Sequence, residues 1–284
     1  MNPIGSTKLL CLLGNPVSHS ISPAMHNLSF DTLNLDYSYM AFNIEEDNFN
    51  TAVEGLKALG CVGFNLTMPF KNAIIPLLDE IDSVASLAHS VNTVVNEDGK
   101  LKGYTTDGYG FLKSMTECGI SYKGSTLTML GAGGVATSIV TQAANDGVSK
   151  INIFKRKNAT FEKTLDFADR ISKAAECDCF VYDMADKDIL EFSLQESDIL
   201  INGTNVGMGD DDTSLVPPEF LHPALTVCDT IYHPEQTRLL KDAAAKGCKT
   251  MNGKFMLLYQ GAAAFKLWTG QDMPVEIVKE RYFS

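Results

Sequence analysis

Basic residues are scarce in this 284-residue chain: 23 lysines and arginines face 35 aspartates and glutamates, a formal net charge of −12 at pH 7. Nucleic acids and anionic membranes are bound through a basic face, so neither is expected as a partner. Long apolar runs are missing too. No stretch reaches the length of a bilayer span, "MNPIGSTK" has no extended apolar region, and Asn2 stands where N-myristoylation needs glycine. A cytoplasmic protein with no signal peptide is the expectation. The seven cysteines (Cys11, Cys61, Cys118, Cys177, Cys179, Cys228, Cys248) are odd in number and scattered, and only Cys177 and Cys179 are close, in a C-x-C spacing that fits no zinc site. We expect reduced thiols and no metal. The chain also lacks internal repeats, low-complexity tracts and long linkers.

What is present is enough apolar material for a sizeable core, 45% of the residues, over a length that favours two domains. In the first part, "KLLCLL", "SPAMHNLSFDTL", "YSYMAFNI", "FNTAVEGLKALG" and "VGFNLTM" alternate strand and helix patterns, an α/β signature. "VNTVVNEDGKLKGYTTD" reads as a hairpin around Asp98-Gly99 and closes this unit near Asp107. A second series, "STLTML", "KINIFKR", "DCFVYDM", "DILING" and "LTVCDTIY", is rich in Ile, Leu and Val, as parallel strands covered on both faces would be. "GKFMLLYQGAAAFKLWTG" and "PVEIVKERYF" are helical without a strand of their own, and are expected to fold back onto the first unit.

The turn "GAGGVA" follows a strand pattern and opens a helix, and the next strand ends about twenty residues later at Phe154. Gly131 and Gly133 let the backbone approach a pyrophosphate at a helix N-terminus, and Ala136 is small enough for close packing of helix on strand. Dinucleotide binding is therefore expected. Where an acid would accept from the ribose of NAD, the chain offers Lys155, Arg156, Lys157 and Asn158, which favours the 2′-phosphate of NADP.

In "NLTMPFKNAI", Pro69 suits a first helical position, which would put Lys71 in the first turn of a helix whose dipole disfavours an ammonium. Asp107 reads as the N-cap of "GYGFLKSM", and Ser22 as a cap before Pro23. Alone, each has an ordinary role. Together with Asn65, Thr67, Asn92, Thr93 and Thr106, all at the ends of elements, Lys71 and Asp107 can line one cleft and share a substrate hydroxyl, the acid/base pair that a metal-free alcohol dehydrogenase needs. Ser20 and Ser22, beside His19 at a helix start, suit a carboxylate.

The ordered motifs "GNPVSHSISPAMHN", "FNLTMPFK", "VNTVV", "GYTTDGYGF", "LGAGGVA", "FKRK", "NGTNVGM", "IYHP", "NGKFMLLYQGA" and "LWTG" run the length of the chain and resemble the shikimate dehydrogenases, most of all their quinate/shikimate branch. The resemblance implies an N-terminal α/β substrate domain (1–108), a Rossmann-type domain with a doubly wound parallel sheet that binds NAD(P) (109–245), and C-terminal helices packing back on the substrate domain (246–284). It implies reversible reduction of 3-dehydroshikimate to shikimate, with 3-dehydroquinate and quinate as a second pair, in aromatic amino acid biosynthesis. NADP is favoured and NAD admitted. Carried over by position, Lys71 and Asp107 are catalytic, and Ser20, Ser22, Thr67, Asn92, Tyr232 and Gln260 bind or border the substrate. Gly131, Ala132, Gly133, Gly134 and Val135 form the pyrophosphate turn, Lys155 to Asn158 read the ribose, and Asn205, Thr230 and Gly253 belong to the cofactor site.

Four positions depart from the pattern. Thr105 replaces the usual asparagine before "TD", Phe255 replaces a glycine near the nicotinamide pocket, and Asn158 replaces an aspartate that admits NAD in the quinate-tolerant branch; Asn205 stands where that branch often has lysine. Two other readings stay open: a non-catalytic dinucleotide sensor on the same fold, and a dehydrogenase of another cyclic hydroxy acid. A small carboxylated substrate is the expected partner, on a monomer or homodimer.

Overall fold

The computed structural model describes residues 3–283; residues 1, 2 and 284, Asn2 among them, lie outside the description. Two compact units share the chain, Met1–Gly110 with Leu257–Ser284, and Phe111–Met256.

In the first unit β1 (Lys8–Gly14), α1 (Ser22–Leu33), β2 (Tyr37–Asn43), α2 (Phe49–Ala58) and β3 (Gly63–Leu66) alternate, followed by β4 (Glu80–Ile81), α3 (Ser83–Ala88), β5 (Thr93–Glu97) and β6 (Lys100–Tyr104). They form a six-stranded sheet ordered β2-β1-β3-β5-β6-β4, parallel from β2 through β3 and antiparallel from β3 to β5 and from β5 to β6. Asp98 (φ 53) and Gly99 (φ 88) make the turn between β5 and β6. Two successive positive φ values are the hairpin geometry that matches strand twist, and Asp-Gly tolerates both. Under this sheet Leu13, Phe49, Val53, Phe64, Phe70, Val94 and Leu101 share one apolar cluster.

α4 (Asp107–Glu117) leads into the second unit: β7 (Thr126–Leu130), α5 (Gly134–Asn145), β8 (Lys150–Lys155), α6 (Phe161–Ala174), β9 (Asp178–Asp183), α7 (Lys187–Gln195), β10 (Ile199–Asn202), β11 (Thr226–Asp229), α8 (Arg238–Ala245) and β12 (Lys249–Met251). The sheet is wholly parallel and ordered β12-β11-β10-β7-β8-β9. The chain winds outward from β7 in one direction and then from β10 in the other, the doubly wound order of a dinucleotide-binding fold, with its ligand crevice at the carboxyl ends of the two strands where the direction reverses. α6 shows why such helices pack: Thr164, Phe167, Ala168 and Ile171 are its buried residues, at the 3- and 4-residue steps of a single stripe. β12 was not anticipated from the sequence, since three residues, two of them exposed, give no periodicity to read.

α9 (Lys254–Thr269) and α10 (Val275–Tyr282) end the chain. In the first unit, the α9 residue Trp268 donates from Nε1 to the Val94 carbonyl at 2.9 Å, beside Gly63, where any Cβ would strike the indole.

Candidate active site and dinucleotide site

Sheet register creates the site of the first unit. Asn65 pairs with Thr93, and Thr93 with Tyr104, so the end of β3, the start of β5 and the end of β6 fall in one row. The residues just beyond that row are Thr67, Asn92, Thr106 and Asp107, and the segment after β1 carries Ser20 and Ser22.

Lys71 Nζ lies 2.6 Å from Asp107 Oδ2, with side chains 15% and 6% exposed. Two anchors hold the lysine there. Its neighbour Phe70 is buried and stacks on Phe49 at 4.2 Å, and burial of such a ring stabilises by about 2–3 kcal/mol. The Lys71 carbonyl accepts from Val91 N at 2.9 Å, one residue before Asn92. Asp107 takes its second bond on Oδ1, from Asn92 Nδ2 at 2.8 Å. Asn92 Nδ2 also approaches Thr106 Oγ1 at 3.0 Å and Gln260 Oε1 at 3.4 Å, while its Oδ1 accepts from Thr106 N at 2.8 Å. Asn65 extends the network, donating to Thr93 Oγ1 and to the Asn92 carbonyl, each at 3.0 Å. Asn65, Asn92, Thr93, Thr106 and Asp107 are all buried, so each polar group depends on these partners rather than on water.

The local structure corrects three expectations. Lys71 is not in the first turn of an α-helix: residues 68–74 form turns that run into a 3₁₀ turn at Ile75–Leu77. Ile75 N bonds to Asn72 O, and Pro76 brings no N–H and disfavours helical backbone at Ile75, so no α-helix propagates and no helix dipole acts on the ammonium. Asp107 is not the cap of α4 but its first residue; Thr106 caps it, its carbonyl accepting from Gly110 N. Ser22 likewise is the first residue of α1, capped by Ile21, and its amide donates to Ser20 Oγ at 3.3 Å. Thr67 packs its methyl against Gly14, where a Cβ would sit 2.2 Å from it.

In the second unit Gly131 has φ +96, and a Cβ there would meet Thr204 Cγ2 at 2.7 Å. Gly133 is the N-cap of α5, with no side-chain cap and open space where its Cβ would be. The amides of Gly134 and Val135 therefore begin α5 with no partner inside the helix and with the positive end of its dipole behind them. This cradle fits a pyrophosphate. Gly203 touches Ala136, with 2.8 Å between its notional Cβ and the Ala136 Cβ, which is why position 136 must stay small. Arg156, Lys157 and Asn158 are exposed after β8, whereas Lys155 Nζ is committed to Asn158 Oδ1 (3.1 Å) and Thr160 Oγ1 (2.7 Å). Burial, and secondarily Arg156, lower the Lys155 pKa. Asn205 is exposed after β10, and Tyr232 after β11. Gly253 approaches Thr230 so closely that a Cβ would lie 2.1 Å from its carbonyl oxygen. Of the departures, Thr105 is half-buried between β6 and α4, and Phe255 half-buried in the first turn of α9.

Asp229 was missed. At the carboxyl end of β11 it is fully buried and accepts from Asn202 Nδ2 (3.1 Å), Ile231 N (3.0 Å) and Thr237 Oγ1 (2.7 Å). Burial pushes its pKa up to about 6 against these three bonds. Asn202 in turn holds Thr204 and Thr230, so one carboxyl organises the loops carrying Thr204, Asn205 and Thr230. An acid inside the apolar run "LTVCDTIY" was the available signal. Among the described residues no group of three His, Cys, Asp or Glu could hold a metal, and no helix is long and apolar enough to cross a membrane.

Residues 12–94 match the model of the shikimate dehydrogenase substrate binding domain, and residues 256–281 that of the shikimate 5'-dehydrogenase C-terminal domain. The chain is 46% identical over 278 residues to a shikimate dehydrogenase (NADP(+)) of Alkaliphilus metalliredigens, covering 97% of this chain and 96% of that one. It is 43% identical to a quinate/shikimate dehydrogenase of Escherichia coli, over 99% and 98%. A crystal structure of shikimate 5-dehydrogenase from Listeria monocytogenes in complex with shikimate and NAD superposes with a TM-score of 0.94 at 41% identity, covering 99% of this chain and 98% of that one. With its network of Lys71, Asp107 and Asn92 and its parallel dinucleotide-binding sheet, the chain belongs to the shikimate dehydrogenase family.

Proposed function

We propose that the protein interconverts shikimate and 3-dehydroshikimate with NADP as the favoured dinucleotide, accepting NAD, and quinate with 3-dehydroquinate, as second choices. The observation that carries this reading is the Lys71–Asp107 contact at 2.6 Å, tied to Asn92 and Gln260. A dinucleotide held by the amides behind Gly133 would supply the hydride chemistry at the alcohol carbon. Lys71 Nζ holds the substrate oxygen and moves the proton: as the ammonium it protonates the oxygen in reduction, and as the amine it accepts the hydroxyl proton in oxidation. Asp107 holds Lys71 in place through Oδ2, and Asn92 donates to its other oxygen. Thr67, Asn92 and Gln260 orient the ring hydroxyls, and the Ser20 and Ser22 hydroxyls take the carboxylate. In the second unit the amides behind Gly133 would hold the pyrophosphate, and Arg156 and Lys157, free of the bonds that occupy Lys155, would meet the 2′-phosphate.

Seven free cysteines, six of them buried, support a reducing, intracellular setting. Initial rates of cofactor reduction with shikimate or quinate and with NADP+ or NAD+ test the reading. The fastest rate is expected for shikimate with NADP+, and absence of turnover in all four combinations would overturn it in favour of a non-catalytic dinucleotide sensor. A panel of other cyclic hydroxy acids gives slower rates if the assignment is right.

A further inference from the structure

The last row of the second sheet runs Phe154, Leu130, Asn202, Asp229, partners in register across β8, β7, β10 and β11. One residue further on, each loop is still tied to the neighbouring strand. Gly131 N donates to the Phe154 carbonyl at 2.8 Å, Gly203 N to the Leu130 carbonyl at 2.8 Å and Thr230 N to the Asn202 carbonyl at 3.0 Å. Phe154 and Leu130 are apolar, as a sheet covered on both faces requires. Asn202 and Asp229 are not, although they are 2% and 0% exposed, and Asn202 stands on one of the two strands where the winding reverses.

Asn202 uses every hydrogen-bonding position of its amide. Nδ2 donates to Asp229 Oδ1 at 3.1 Å and to the Val206 carbonyl at 3.2 Å, while Oδ1 accepts from Thr204 N at 3.1 Å and from Thr204 Oγ1 at 2.7 Å. An amide has nearly the same shape with its oxygen and nitrogen exchanged, so its partners decide which end is which. The Val206 carbonyl moves with the loop being held, since Val206 N donates to Thr204 Oγ1 at 3.1 Å. Asp229 is the fixed reference: it belongs to β11, and its carboxylate accepts without donating. Ile231 N on Oδ1 and Thr237 Oγ1 on Oδ2 hold it still. With its hydroxyl committed to Asn202, Thr204 lays its methyl against Gly131, 2.7 Å from where a Cβ would stand. The Asn202 carbonyl also accepts from Thr230 Oγ1 at 3.0 Å, and the Thr230 carbonyl abuts Gly253.

We propose that Asp229 is a positioning residue for the dinucleotide: by fixing the orientation of the Asn202 amide it holds Thr204 against the Gly131 turn, and so sets the shape of the crevice at the carboxyl ends of β7 and β10. The proposal rests on the functional reading above. Asp229 and Asn202 touch no ligand in this role. They act one step behind the main-chain cradle, which by itself has no side chain to keep the Gly131 turn from shifting.

The test is calorimetry of NADP+ and of shikimate on the full chain at neutral pH, with Tm measured beside it. Wild type is compared with Asp229→Ala, Asp229→Asn, Thr237→Val, Asn202→Ala and the double variant of Asp229→Ala with Asn202→Ala. Asp229→Ala leaves Asn202 Nδ2 short of an acceptor and the amide free to turn, so the Kd for NADP+ is expected to rise roughly tenfold while that for shikimate stays within about twofold. Asp229→Asn keeps an acceptor at Oδ1 and should bring the Kd for NADP+ back to within about threefold of wild type. Thr237→Val cuts only the bond from the start of α8, so Tm falls and the Kd for NADP+ stays within about twofold. The double variant should bind NADP+ no more weakly than Asn202→Ala, because Asp229 acts through Asn202. An Asp229→Ala chain with the wild-type Kd for NADP+, or a Thr237→Val chain whose Kd rises as far, would overturn the positioning role. Should Asp229→Ala fail to fold, an Asn202→Ala chain with the wild-type Kd would overturn it equally. A wild-type chain that binds no NADP+ would instead overturn the functional reading beneath it.

Discussion

In the first unit the groups that meet are side chains, brought from β3, β5, α4 and α9 by sheet register and each dependent on the next. In the second unit the cradle proposed for the dinucleotide is main chain: amides at the start of α5, opened by Gly133 and closed by the positive φ of Gly131. The difference is one of tolerance. A side-chain network fails when any member is cut, because a buried donor or acceptor is left without a partner at about 1–3 kcal/mol. A main-chain cradle accepts most side-chain changes and fails only where backbone conformation or close approach is violated.

The comparison breaks most sharply at Asn92. Asn92→Ala removes the second bond to Asp107 and the acceptor for Thr106 N, and is expected to lower kcat/KM for shikimate by about 100-fold while the dinucleotide Kd, measured by calorimetry, stays put. Gly131→Ala should do the reverse. It forces a Cβ into a positive φ and against Thr204, so dinucleotide affinity is expected to fall by roughly 10- to 100-fold and stability by about 2 kcal/mol, whereas Val135→Ala in the same turn should stay near wild type. Arg156→Ala tests the ribose end: NADP+ affinity should drop by about tenfold with NAD+ affinity unchanged, and equal losses for both would remove Arg156 from the phosphate.

How much of this was legible from the sequence depends on the range of the contacts. Strand, glycine turn and helix around Gly131, and the Asp98-Gly99 hairpin, are local patterns with local causes, and they were read correctly. The two sheets were also foreseen as α/β, the second as parallel, because Ile-, Leu- and Val-rich strands announce burial on both faces. Lys71 and Asp107 are 36 positions apart, and their placement at the ends of elements, joined by the family motifs, is what paired them; their 2.6 Å contact follows from register that no local window contains. The helix expected at Lys71 failed because Pro76, five residues on, outweighed Pro69. Asp229 is marked in the sequence only by being an acid inside an apolar run, and the three partners that make it matter come from β10, the turn after β11 and the start of α8, which no local window joins.

The smallest expected effect concerns Asp229, the exception in a unit otherwise governed by main chain. Its pKa of about 6 lies above the ordinary 3.8, so the folded state binds a proton more tightly than the unfolded chain between those values. The stability this group contributes is fully present below about pH 3.8 and is lost as pH rises through about 6, by about 2–3 kcal/mol. Asp229→Asn keeps an acceptor for Ile231 N and Asn202 Nδ2, puts an N–H donor opposite Thr237 Oγ1, whose hydroxyl oxygen can accept it, and should abolish that slope. Urea unfolding of both proteins from pH 4 to 7.5 should show the wild type losing stability relative to the variant as pH rises, and parallel curves would contradict the assignment.

In the proposed reaction Lys71 is the group that moves the proton. Turnover of shikimate by Lys71→Ala, measured beside its dinucleotide Kd, addresses this most directly: kcat is expected to fall by about 10³-fold or more with the Kd within twofold of wild type. A variant that keeps a tenth or more of wild-type kcat would contradict the central claim.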